Sequence, residues 1–377
     1  GEVSNKEFIH KTYEWIPSLG VNLSFTLDGL SLLFSLLITG IGTLVFAYTS
    51  GYLKGHVYLD RFYGYLSIFM GAMLGLVLSD NLISLFVFWE LTSISSFFLI
   101  GFNNTSEASR KSALTALGIT GIGGLLLLGG GIVLGNISGT YSITEMLAQK
   151  DFIQGHEHYI LAACLIFGAA FTKSAQFPFH FWLPGAMKAP TPVSTYLHSA
   201  TMVKAGVYLL FRMSPLMGST SFWNNTLLIV GLITMVYSAF HSIFRTDMKG
   251  ILAYTTISAL GILVFLIGLG THESYFAAAV FIIVHALYKA TFFMMTGVVD
   301  HQAKTRNVTE LSGLRKVMLP VAIAGLLAAI SNAGIPPSVG FIGKDLIYEG
   351  TFHFEHSAIL LTVLAILTNV FISTRVT

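Results

Sequence analysis

Apolar residues run in stretches of about 20, separated by short polar connections, from Leu27 to Thr374. A helix rising 1.5 Å per residue needs about 20 residues to cross a ~30 Å hydrocarbon layer. Eleven such spans are predicted, at about 28–50, 63–79, 81–102, 112–135, 160–177, 192–212, 225–244, 248–270, 275–299, 317–334 and 357–374. Lipid admits only helices or closed barrels, and these runs are too long and too evenly apolar for alternating strands of about ten residues. The pattern predicts an all-α, polytopic membrane protein. Residues 1–26 are mixed in character, with Pro17 and Gly20 as turn signals, and are expected to form a cap outside the membrane and not a helix.

Two places break the helical rhythm. Thr172-Lys173-Ser174-Ala175-Gln176-Phe177-Pro178 interrupts the fifth span, with Pro190 and Pro192 close behind, and Gly334-Ile335-Pro336-Pro337 cuts the tenth before Gly340 to Asp345. Proline frees main-chain carbonyls that need partners, so breaks inside lipid persist where the chain lines a polar cavity. Both breaks carry a lysine and lie five spans apart. That odd offset predicts inverted five-helix repeats: a leading helix and loop at 27–62, a first half at 63–215 and a second at 216–374. The sequence starts at Gly1 with no signal-peptide pattern and stops at Thr377 directly after an apolar run, so truncation at both ends is expected.

Charge adds orientation. Lys54, Arg61, Arg110, Lys111, Lys188, Arg245, Lys304, Arg306, Arg315 and Lys316 fall in loops of one side, against Lys150 and Arg212 on the other. Basic loops stay in the cytoplasm, which places residues 1–26 outside. Only 10% of residues are charged and 54% are hydrophobic, against roughly 25% charged in a soluble domain. A net charge of +2 gives no footprint for nucleic acid. The lone cysteine, Cys164, and the lack of a Cys/His cluster argue against a resident metal or iron–sulfur centre. There is no phosphate loop, and the glycines at Gly121 to Gly124 and Gly129 to Gly131 read as close helix packing.

Candidate chemistry lies in the spans themselves. Glu90 sits about nine residues from either end of its span, ~14 Å from each surface, too deep for a short carboxylate to reach water. Ionisable groups at such depth mark ion or proton paths. Lys173, beside the first break, is its expected partner, because burial and pairing push proton affinity in opposite senses and let a pair switch when a nearby charge moves. His285 and Lys289 share one helical face at i,i+4, and a histidine can pass protons along buried groups. His198 and Lys204 share the sixth span on different faces. Lys249 starts the eighth span, and Lys344 with Asp345 comes after the second break as the expected far end of the relay. His180, His241, Asp28 and Asp80 stand out only by polarity near span ends and are expected to be interfacial.

These segments resemble the antiporter-like subunits shared by respiratory complex I and the Mrp-type cation/proton antiporters, from about Leu27 to Phe371. The resemblance is carried by Phe88-Trp89-Glu90 with Leu99 to Phe102, Lys173 to Gln176 with Pro190 to Ser194, the His198 segment, Thr246 to Lys249 with Leu252 to Thr255, His285 to Lys289, and Gly340 to Asp345. It implies that Glu90, Lys173, Lys249 and Lys344 form a central charged chain, with His198, His285 and Lys289 assisting and Lys204 and Asp345 in support. About fourteen helices are usual in the family, so this chain resembles helices three to thirteen. Lys204 and the short connection at Asn103 to Thr105 favour the A-type branch of the Mrp antiporters over the L type of complex I. The resemblance to that branch implies Na⁺ export in exchange for H⁺ across a bacterial plasma membrane, without a cofactor, beside partner subunits B to G and notably the D type. The alternative implied is a proton-pumping subunit of an NADH:quinone oxidoreductase.

Overall fold

The computed structural model describes residues 9–19 and 21–352; the expected span at 357–374 lies outside the described residues. The cap region holds a β-hairpin that the apolar runs do not predict. Strands β1 (Ile9–Ile16) and β2 (Val21–Leu27) pair antiparallel, Ile9 opposite Leu27 and Ile16 opposite Val21. The signal was the strict alternation Val21-Asn22-Leu23-Ser24-Phe25-Thr26-Leu27, which reads as a half-buried strand.

Four long helices come next: α1 (Gly29–Tyr52), α2 (Leu59–Leu78), α3 (Leu82–Ile100) and α4 (Glu107–Ser138). Short helices α5 (Ile143–Leu147) and α6 (Lys150–Gly155) lead to α7 (Tyr159–Lys173), α8 (Trp182–Ala186), α9 (Thr191–Ser199) and α10 (Met202–Met217). Then come α11 (Ser221–Ile243), α12 (Met248–Leu269) and α13 (His272–Ala303), a turn of helix α14 (Leu314–Val317), and α15 (Leu319–Ala333) with α16 (Val339–Phe352). Among the described residues seven helices, α1 to α4 and α11 to α13, are long and apolar enough to cross a membrane. Of the other expected spans among the described residues, those at 160–177 and 317–334 hold single helices of 15 residues, α7 and α15, and that at 192–212 is built from two pieces. Chain breaks separate α7 from α8 and α15 from α16, as the prolines predict, and a third, proline-free break at Ala200 and Thr201 splits the sixth span into α9 and α10. The third break supplies its own partners: Thr201 Oγ1 donates to the Tyr196 carbonyl at 2.7 Å and Ser199 Oγ to that of Thr195 at 2.5 Å.

Packing repeats in order. α2 lies on α3, α3 on α4 and α4 on α7; α11 lies on α12, α12 on α13 and α13 on α15. α1 is strapped across both sets, because Tyr196 Oη donates to its Ile38 carbonyl at 2.9 Å and Tyr48 Oη donates to the Met294 carbonyl of α13 at 3.0 Å. α11 and α12 meet main chain to main chain. A Cβ at Gly231 would lie 2.6 Å from Phe265 N, and one at Gly261 would lie 2.6 Å from Met235 N, so only glycine permits this approach.

The hairpin is tied to one end of the bundle through two aspartates. Asp80 N donates to the Ser24 carbonyl of β2 at 2.9 Å, while the Asp80 side chain accepts from Ser142 Oγ at 2.9 Å and Thr144 Oγ1 at 2.7 Å. Asp28 caps α1 through Ser31 and accepts hydrogen bonds from the two terminal guanidinium nitrogens of Arg212, at 2.5 and 3.1 Å. Both residues do more than sit at an interface: they join elements distant in sequence. Burial alone would lift the Asp28 carboxyl, but the Arg212 guanidinium and the bonds from Ser31 outweigh it and hold it below its ordinary range.

A group depressed in the folded state contributes stability above its unfolded pKa and loses it as pH falls through the folded value. Asp28→Asn, which keeps a capping oxygen but removes the charge facing Arg212, is therefore expected to cost about 1–3 kcal/mol at neutral pH. Thermal unfolding in detergent should show this deficit at pH 7 and a shrinking one as the pH is taken below about 4; a deficit independent of pH would contradict it.

Candidate functional site

The centre of the site is the end of α7. Past Lys173 the chain turns through Ala175, whose φ is +50°, and the carbonyls freed there are taken up: Ser174 N donates to Ala170, Gln176 N to Phe171, each at 2.9 Å, and Trp182 Nε1 to Thr172 at 2.9 Å. α10 closes on this turn because Gly206 lacks a side chain; a Cβ there would lie 2.9 Å from Ser174 N.

Lys173 is fully buried. Its ammonium donates to Ser93 Oγ at 2.7 Å and to the Trp89 carbonyl at 3.2 Å, and stands 5.1 Å from the Trp89 ring centroid. The expected partner, Glu90, is the next residue on α3 and the two groups feel each other electrostatically, but Lys173 is anchored to the helix turn and not to the carboxylate. Glu90 turns instead toward α4, where its Oε1 is buried against Gly124 without a hydrogen-bond partner among the described residues.

The other lysines obey the same rule. Lys204, just past the third break, crosses from α10 to donate to the Ile282 carbonyl of α13 at 2.8 Å. His285 lies one turn beyond Ile282 and one turn before Lys289, fully buried between Phe281 and Tyr288. Lys289 donates to Thr255 Oγ1 and, at 3.4 Å, to the Leu252 carbonyl, both on α12. Lys344 reaches back over the second break to the Ala333 carbonyl at 3.1 Å. Thr255, Tyr288, Asn332 and Lys344 share a cavity of about 10 Å³, room for about one water molecule. Lys289 and Lys344 are thereby linked through Thr255.

Lys249 donates to the Ala189 carbonyl at 2.9 Å and forms the wall of a larger cavity of about 570 Å³, lined also by Lys188, Asp300, His301 and Arg306. His198 is buried in α9 between Trp182 and Phe293, with ring centroids 6.5 and 6.1 Å away. Both ring nitrogens of His198 and of His285 have no partner among the described residues. His198 and Lys204 face different parts of α13, as their spacing predicts. Asp345 does not join Lys344 inside: it is exposed among the described residues while Lys344 is partly buried, the two being neighbours in a helix and so about 100° apart. No cluster of three or more His, Cys, Asp or Glu suited to a metal occurs among the described residues.

Sequence reasoning missed the hydroxyls. Ser93 and Thr255, which hold Lys173 and Lys289, are ordinary residues in apolar spans. The cue available was position, since Ser93 lies one turn from Glu90 in the unusually polar run Thr92-Ser93-Ile94-Ser95-Ser96.

Residues 79–371 match the family model described as NADH:quinone oxidoreductase/Mrp antiporter, TM, and residues 15–63 match NADH-Ubiquinone oxidoreductase (complex I), chain 5 N-terminus. The chain is 48% identical to Na(+)/H(+) antiporter subunit A1 of Staphylococcus aureus strains JH9 and N315, over 91% of this chain and 45% of those relatives. It superimposes on a chain of the Mrp complex from Dietzia sp. DQ12-45-1b with a TM-score of 0.93 and 41% identity, over 98% of this chain and 41% of the other. The chain spans less than half the length of these proteins. With its buried lysines, its broken helices and a family match covering most of its length, this multi-pass membrane chain belongs to the NADH:quinone oxidoreductase/Mrp antiporter transmembrane family.

Proposed function

We propose that the chain is the ion-translocating part of an A-type subunit of a multisubunit Na⁺/H⁺ antiporter in a bacterial plasma membrane. The observation that carries this reading is the series of ionisable groups within the bundle, running from the partly buried Glu90 through the fully buried Lys173, Lys204, His285 and Lys289 to the partly buried Lys344, with His198 and Lys249 leading to the large cavity. Isolated charges in lipid are costly, and a file of them serves transport better than it serves folding. The relatives named as sodium/proton antiporter subunits support the choice of ions. Protons entering down their gradient would drive Na⁺ outward, each unit charge carried across 100 mV exchanging about 2.3 kcal/mol. No covalent step and no cofactor are needed.

In this reading 63–215 and 216–374 are the two halves of the transporter, the hairpin end lies outside, and Asp345 tunes Lys344 from the periphery. The partners are subunits B to G of the same complex, the D type above all, together with membrane lipid. The match of residues 15–63 to a complex I chain favours one alternative, a proton-pumping subunit of an NADH:quinone oxidoreductase. Everted vesicles separate the two: Na⁺-dependent collapse of an imposed pH gradient without NADH supports the antiporter, and strict dependence on NADH oxidation refutes it.

Within the intact complex, Glu90→Ala and Lys173→Ala are each expected to lower this antiport at least tenfold while copurification of the partner subunits is unchanged. Full antiport in an assembled mutant would reduce the chain to a scaffold. Thr255→Val, which deletes the hydroxyl under Lys289 without changing its volume, is expected to slow exchange roughly tenfold, the worth of one hydrogen bond to a charged group. A wild-type rate would remove Lys289 and Thr255 from the path.

A further inference from the structure

Two adjacent glycines of α4, Gly123 and Gly124, are buried where that helix meets α3 and α7. Where α11 meets α12 the crowded atoms belong to the main chain, as between Gly231 and Phe265. Gly124 differs. A Cβ there would overlap Oε1 of Glu90, lie 2.6 Å from its Cδ, and come no closer than 3.3 Å to anything else among its three nearest atoms. At Gly123 a Cβ would overlap Oγ1 of Thr172, the residue before Lys173. The pair thus receives, side by side, the carboxylate of α3 and the side chain that precedes the ammonium of α7.

Thr172 is itself fixed, its hydroxyl donating to the Gly168 and Ala169 carbonyls at 3.0 and 2.9 Å. Glu90 has no such anchor at Oε1, which is buried and without a hydrogen-bond partner among the described residues, so that packing against the glycines and not a hydrogen bond sets where this oxygen lies. We propose that Gly123 and Gly124 form a slot that holds the Glu90 carboxylate at a fixed place relative to Lys173, with Gly124 a positioning residue for charge transfer between them. The inference rests on the transport role of Glu90 and Lys173 given above.

Because the crowded atom is the free end of a flexible side chain, an alanine at 124 can be accommodated by turning the carboxylate away, with no separation of helices. Alanine is also the better helix former. Gly124→Ala should therefore displace the carboxylate and leave the fold in place. Gly118, on an exposed part of the same helix with nothing within 4 Å of an added Cβ, reports the effect of an alanine in α4 by itself.

The test uses the intact complex in everted vesicles, with Na⁺-dependent collapse of a pH gradient measured across a pH series and assembly monitored by copurification. Gly124→Ala is expected to lose about tenfold and to shift the pH at which exchange peaks, while Gly118→Ala stays within about twofold of wild type. Glu90→Asp, one methylene shorter, should be impaired in the native slot, and Gly124→Ala with Glu90→Asp should be severalfold more active than either change alone. The comparison of the double variant with Glu90→Asp holds even where Gly124→Ala assembles poorly. The slot is refuted if Gly124→Ala matches Gly118→Ala in rate and pH profile, or if the double variant is no better than Glu90→Asp. If Glu90→Ala itself retains full antiport, the transport reading beneath the inference fails, independently of Gly124.

Discussion

Hydrocarbon offers no hydrogen-bond partners, so an ammonium group carried into it must find them in the protein or give up its proton. In this chain the partner is the main chain. Lys173, Lys204, Lys249, Lys289 and Lys344 each donate to a backbone carbonyl, of Trp89, Ile282, Ala189, Leu252 and Ala333 respectively. Those of Ala189 and Ala333 lie beside helix breaks, where ordinary helical bonding has stopped and oxygens stand free. A carbonyl is a dipole and not a charge: it stabilises an ammonium without locking it as a carboxylate would. The breaks and the lysines are thus one device.

The same constraint explains why acid and base are kept apart at the first station. A direct ion pair between Glu90 and Lys173 would be deep and slow to open, and breaking a buried pair costs about 3–5 kcal/mol. Anchoring the ammonium on Ser93 and Trp89, with the carboxylate one residue away and unbonded at Oε1, keeps the two in electrostatic contact without that cost. Protonation of either group can then answer a change in the other. The unpartnered ring nitrogens of His198 and His285 fit the same pattern of groups held ready by packing and not by fixed bonds.

Much of this could be read from the residues. Depth in the span singled out Glu90, the prolines located two breaks, and the lysines beside them were evident from charge in apolar surroundings. The third break carries no proline and is held by Thr201 and Ser199, residues that occur throughout ordinary helices, so hydropathy merged α9 and α10 into one span. The hairpin was hidden because its alternation is short and flanks a much stronger apolar run. Asp345 was grouped with Lys344 by adjacency, yet adjacent residues in a helix point apart. Contacts between helices, such as Lys204 with Ile282, depend on tertiary packing that spacing within one segment does not encode.

The glycine contact between α11 and α12 has a mechanical consequence. Two helices whose backbones touch at Gly231 and Gly261 cannot slide past one another without colliding, so the helix that bears Lys249 and Thr255 behaves as a fixed rail. In the transport reading proposed above, exchange would run through rotamers and mobile protons more than through rocking domains. Two states of its cycle would superimpose closely in their main chains, and the difference between them would have to be sought in hydrogen positions and bound water.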